Sequence, residues 1–153
     1  MTTSEQLEIR QALVRRAGAY LREGYHCSES VVLAVGPHLV PDWHPTCARL
    51  STGFAGGVGG SQHELCGAIA GGVMIIGALL GRTSLQDDTL AQSLAKAFRE
   101  RFSEVFGETE CSWLRENVVH SEGGLGSCAV LVERTTVLLL DVLAEASVLV
   151  HDG

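Results

Sequence analysis

A chain of 153 residues suits one domain with a real core, and 46% hydrophobic against 19% charged residues excludes a disordered polymer. A formal net charge of −7 with a pI of about 5.3 argues against nucleic acid as the main partner. The polar start Met1-Thr2-Thr3-Ser4-Glu5-Gln6 lacks the apolar centre of a secretory signal, so the expected address is cytoplasmic. There, five cysteines point to metal, cluster or redox chemistry rather than to structural disulfides.

In chain order, residues 4–23 read as an amphipathic helix with the stripe Ile9, Leu13, Ala17 and Tyr20, stopped by Gly24. Cys27 or Ser28 starts a second helix, Glu29 sits in its acid-favouring first turn, and Gly36-Pro37 weakens or ends it. Residues 38–45, with His38, Pro41, His44 and Pro45, read as a loop, and 46–52 as a short helix carrying Cys47. The glycine-rich run Gly53 to Gly60 follows, where glycine allows positive φ and close backbone approach. Ser61 and Glu64 form a capping-box pattern ahead of a small, apolar central helix, which places Cys66 about one turn inside.

Residues 65–81 are an uncharged run of membrane-like character, but short, rich in glycine, and bounded by Glu64 and Arg82, so a buried helix is expected. Ser84 with Asp87 predicts the start of a long helix whose stripe is Leu90, Leu94, Phe98, Phe102 and Val105, with Ala97 and Phe106 beside it and Gly107 ending it. Thr109 caps a short helix with Cys111, Trp113 and Leu114, and residues 117–126 form a loop. Ser127 caps a final helix with Cys128 first and an apolar run through Val150. The expectation is all-α: a single domain over residues 1–153, a bundle of five to six helices around a buried Gly-rich central helix. No strand is needed, although residues 130–132 and 137–140 are β-prone.

Cys27, Cys66, Cys111 and Cys128 share one setting near helix starts. Unpaired N–H groups and the helix dipole there favour negative charge. Four such starts could converge on an anionic object, either an iron–sulfur centre or a Zn²⁺ with four cysteines. Their spacing matches neither zinc ribbons nor ferredoxins, which use close Cys-x-x-Cys pairs. A plainer account stands beside this: small residues at 67, 71 and 78 also suit close helix packing, and a core cysteine is ordinarily a small hydrophobe. The glycine run lacks the Gly-Lys-Ser/Thr ending of a phosphate loop and the strand of a dinucleotide fingerprint. Glu29 and Glu64 read as helix-start carboxylates rather than acid–base catalysts.

The chain resembles the C_GCAxxG_C_C family. Tyr25-x-Cys27-Ser28-Glu29, the glycine run, Cys66-Gly67-Ala68-Ile69-Ala70-Gly71, Phe106-Gly107-x-x-x-Cys111 and the late Cys128 carry the resemblance. The order here is Cys-Gly-Ala, where the family label has Gly-Cys-Ala. The family is described by four cysteines and an expected redox role, and it is similar to the non-haem part of split-Soret cytochromes, where an iron–sulfur centre is implied. No Cys-x-x-Cys-His occurs, so covalent haem is not supported.

With that resemblance, Cys27, Cys66, Cys111 and Cys128 are the expected ligands of a [2Fe–2S] or [4Fe–4S] cluster in an electron-transfer protein. Cys47 is outside the pattern. His26 and His63 lie near motif cysteines, and His63 is a candidate to donate to cluster sulfur or, as in Rieske-type centres, to replace a ligand. His38, His44, His120 and His151 read as solvated. The rivals are a thiol–disulfide protein cycling two of these cysteines and a structural zinc bundle. An unknown redox partner protein, no nucleic acid, no membrane span and a homodimer complete the expectation; whether the chain is an enzyme stays open.

Overall fold

The capping chemistry at each end of the first helix is local and complete. Thr2 Oγ1 accepts the Glu5 N–H at 3.1 Å and the Glu5 carboxylate accepts the Thr2 N–H at 2.7 Å, closing a capping box ahead of α1 (Thr3–Glu23). Gly24 ends it at φ 119°, with the Tyr25 N–H returning to the Tyr20 carbonyl at 3.1 Å. The structure, a computed structural model, describes residues 2–148. Among these the chain is all-helical, with seven α-helices, five long and two short, where five to six are expected, and no strand. Leu149, Val150 and His151 lie outside the described residues.

α2 (Cys27–Leu39) begins where the Glu29 carboxylate accepts the His26 N–H at 3.0 Å. It does not end at Gly36-Pro37. Pro37 lies in the exposed last turn, where one missing hydrogen bond is tolerated, and the Val40 N–H still reaches the Gly36 carbonyl at 2.9 Å. α3 (Thr46–Ser51) runs into a 3₁₀ turn, Thr52–Phe54, which delivers the glycine run.

The central helix departs from its expected start. Gly56, Gly57, Val58, Gly59 and Gly60 all have positive φ, between 57° and 72°, and curl the chain left-handed. The Ser61 hydroxyl then turns back to the Gly57 carbonyl instead of capping a helix. Residues 62–66 form no helix, with Gln62 at φ 67° and bends at 62–64, because a distant segment takes their hydrogen bonds. The Cys66 N–H donates to Thr109 at 2.8 Å, Cys111 to Glu64 at 3.0 Å, and Ser112 to Gln62 at 2.7 Å. Helix α4 therefore spans Gly67–Leu80, and Cys66 is its cap residue, not a residue one turn inside.

α5 (Thr89–Phe106) starts later than Ser84 predicts, because the Asp87 carboxylate accepts both the N–H (2.9 Å) and the hydroxyl (2.5 Å) of Thr89. Its buried ladder is Leu94, Phe98, Phe102 and Phe106, while Leu90 and Val105 face solvent at 53% and 54% exposure. Gly107, at φ 98°, terminates it. α6 (Cys111–Leu114) is capped by Glu110, one residue later than Thr109. It continues into a π-helical turn, Arg115–Val119, part of which the sequence assigns to a loop. Ser127 Oγ accepts the Val130 N–H at 3.4 Å and opens α7 (Cys128–Glu145).

α2 packs most extensively on α4 and α1 on α7, with α5 against α4 and α7. Small residues on α4 set its distances to α2 and to α5. A Cβ at Gly71 would sit 2.6 Å from the Ser28 carbonyl, and one at Gly72 2.5 Å from the Phe98 ring. Fully buried Phe98, Phe102, Ile69, Ile75, Leu139 and Leu143 fill the centre, each contributing about 1.5–3 kcal/mol by burial. Arg10–Asp141 and Arg22–Glu133 link α1 to α7, and Arg101–Glu145 links α5 to α7. Among the described residues no helix is long and apolar enough to cross a membrane, in keeping with α4 as a core helix.

Candidate functional site

Four helix starts face one another. Cys27 is the first residue of α2, Cys66 caps α4, Cys111 is the first residue of α6 and Cys128 the first of α7. All four line a single cavity of about 200 Å³, walled by Leu21, Leu114, Leu131 and Val132 and edged by Tyr25, His26 and Arg115. Backbone hydrogen bonds between residues 62–66 and 109–112 hold Cys66 beside Cys111. The close packing of α2 on α4 brings Cys27 to the same place: a Cβ at Gly67 would lie only 2.3 Å from its Sγ. Gly57 lies beneath Cys111, where a Cβ would be 2.9 Å from that of the cysteine.

Burial raises the thiol pKa at three of the four cysteines. It pushes Cys66 up to about 12, helped by the neighbouring Cys27 and opposed by the Ala68 and Ile69 N–H groups that face its sulfur. Cys111 is also raised, by burial and then by Cys27, and Cys128 is raised by burial; the Arg115 guanidinium opposes both shifts. The protein alone thus holds Cys66, Cys111 and Cys128 toward the neutral thiol. A metal or cluster supplies positive charge large enough to invert that preference.

The five cysteines are all free. Among the described residues no three His, Cys, Asp or Glu side chains are grouped closely enough to hold one metal ion. The four thiols ring the cavity instead of converging on a point.

Other candidates fall elsewhere. Cys47 faces a separate apolar cavity with Val32, Trp43, Leu50 and Met74. His63 is exposed and does not line the cysteine cavity, whereas His26 does. His38, His44 and His120 are exposed. The Glu29 carboxylate, besides meeting the His26 N–H, accepts the Thr52 hydroxyl at 2.8 Å, a structural use. Arg115 is the residue that sequence reasoning missed. It stands four positions after Cys111, the spacing that puts two side chains on one helix face, so the signal was present.

A model of the family described as "Putative redox-active protein (C_GCAxxG_C_C)" matches residues 25–142. The chain belongs to this family. No curated protein and no solved structure matches it. The matched span includes all four cavity cysteines and leaves out α1. In this member of the C_GCAxxG_C_C family, glycine follows the second cysteine, and the crowding of Cys27 against Gly67 gives that position a physical requirement. The motif's last glycine, Gly71, is the one that meets the Ser28 carbonyl.

Proposed function

We propose that this redox-active protein binds an iron–sulfur cluster through Cys27, Cys66, Cys111 and Cys128 and exchanges electrons with a partner protein in the cytoplasm. The observation that carries this is the meeting of four cysteines, each at a helix start, around one apolar cavity. The cluster, when bound, supplies a reversible redox couple. The chain supplies four sulfur donors, Gly57 and Gly67 as positions without side-chain bulk, and a largely apolar wall. N–H groups of Ala68 and Ile69 point toward the Cys66 sulfur, and such contacts tune cluster potentials.

The donor arrangement suits a multi-iron group better than zinc. A single Zn²⁺ needs four sulfurs at about 2.3 Å from one centre. A cluster takes its thiolates on different irons, so its ligands stand around its perimeter. Thiol–disulfide exchange favours accessible, electropositive thiols of lowered pKa. Here burial raises three of the four. The exposed end of α4 at Gly77 and Ala78 leaves room for a second copy, so a homodimer belongs to the same proposal and is checked by light scattering.

Anaerobically prepared protein is expected to be brown, with iron and acid-labile sulfide in comparable amounts. Colourless protein carrying one zinc after attempted reconstitution overturns the proposal in favour of the zinc bundle. Colourless, metal-free protein whose thiol titre rises on reduction would favour disulfide exchange.

A further inference from the structure

The cysteine cavity has one permanently positive side chain on its wall. Arg115 lines it together with the four thiols, and its charge is felt at both Cys111 and Cys128. Arg115 as a residue is half-buried. Ion pairs among the described residues use Arg10, Arg22, Arg82, Lys96 and Arg101, and Arg115 is not among them. Its backbone opens the π-helical turn, where the His120 N–H reaches back five residues to the Arg115 carbonyl at 2.8 Å. Such turns are rare inside helices and recur at functional sites. A cation without a carboxylate partner, on a half-buried residue beside an apolar cavity of sulfur donors, fits an anionic occupant.

We infer that Arg115 is a positioning and tuning residue for that occupant, holding the reduction potential of the bound cluster upward through its fixed charge. This rests on the iron–sulfur proposal above. A cluster with four thiolates is anionic, and one-electron reduction adds one further negative charge without making or breaking a bond to Arg115. A cation on the cavity wall therefore stabilises the reduced form more than the oxidised form, and the potential rises. The electron comes from a one-electron donor; dithionite serves in the test. Arginine suits the role because its guanidinium stays charged at any working pH.

The test is a spectroelectrochemical titration of the full-length, reconstituted protein as wild type, Arg115→Gln, Arg115→Lys and Glu116→Gln, with iron per chain measured on each. The expected result is a lower midpoint potential in Arg115→Gln, most of it restored in Arg115→Lys. Glu116→Gln changes the formal charge by the same magnitude with the opposite sign at an exposed neighbour and is expected to leave the potential unmoved. Loss of iron in Arg115→Gln with retention in Arg115→Lys also supports the inference. Equal potentials in wild type and Arg115→Gln overturn it, as does loss of iron in both Arg115 variants, which would assign shape rather than charge. A shift in Glu116→Gln as large as that in Arg115→Gln overturns it too, because the effect would then be general. Wild-type protein that takes up no iron and sulfide brings down the cluster proposal itself, and this inference with it, a result distinct from an unmoved potential.

Discussion

At Gly67 one added methyl would meet the Cys27 sulfur at 2.3 Å and the Phe54 carbonyl at 3.0 Å. The sulfur can swing away but the carbonyl belongs to backbone, so Gly67→Ala should displace a ligand before it unfolds the chain. It is expected to behave like a ligand variant, with less iron per chain at near-wild-type helicity. Serine at Cys27, Cys66, Cys111 or Cys128 should remove most of the chromophore, since a hydroxyl stays protonated near neutral pH and donates poorly to iron. Cys47→Ser should keep it, because Cys47 faces another cavity. Iron assays on these variants decide the ligand set; bleaching by Cys47→Ser alone would show it to be wrong. A pH dependence follows from Cys66 in the metal-free protein. Its folded pKa of about 12 stands above the ordinary thiol value of 9.0. The unfolded chain therefore loses this proton first, and stability present below pH 9 falls as pH rises toward 12. Thermal melts across that window should show the fall, and Cys66→Ala should blunt it. An identical profile in the variant would mean that the thiol stays solvated.

Helix contacts explain which parts of the fold could be read in advance. Caps that use only local chemistry were legible: Gly24, Gly107 and Ser127 stand where local pattern places them. Ser61 and Ser84 misled for different reasons. The Ser61 hydroxyl goes to Gly57, and residues 62–66 give their hydrogen bonds to residues 109–112, a pairing no local pattern announces. At Ser84 a nearer acceptor, Asp87, wins at Thr89. The four cysteines were legible as a set because the family motif marks them, but their common cavity depends on that distant pairing and on α2 lying close to α4. The second condition is testable at Gly71, whose Cβ would press on the Ser28 carbonyl at 2.6 Å. Neither backbone is a flexible side-chain end, so the helices must separate. Gly71→Ala should destabilise the protein by ~1–3 kcal/mol despite alanine's better helix propensity. Denaturant unfolding measures this; a gain in stability would mean that the α2–α4 distance is not set here.

Across the whole molecule, the cavity is assembled from four helix starts, three of which (α2, α4 and α7) also pack on one another in the core. Cys27, Cys66, Cys111 and Cys128 come from four helix starts, whereas the Phe98–Phe102–Phe106 ladder and the Leu138–Leu143 stretch fill the core beyond the cavity. A cluster bound to all four is a crosslink available only to the folded state. Occupancy at a hundredfold over the dissociation constant adds about 2.7 kcal/mol. For a domain near this size each kcal/mol shifts the melting point by roughly 2–4 °C, so removal of the cluster should lower it by roughly 5–10 °C. The loss should not be uniform. Hydrogen exchange is expected to accelerate in residues 55–66 and 109–128, where backbone meets the cavity through turns and short pairings, and to stay slow in α5 and the middle of α7. The comparison is made under reducing, anaerobic conditions, so that no disulfide replaces the cluster in the stripped protein. Equal melting points and equal exchange in the two forms would show that the four helix starts hold their places without a bound group. The cluster would then be a passenger on a preformed fold. Acceleration spread evenly over α5 and α7 would show instead that the core and the cysteine site form one cooperative unit.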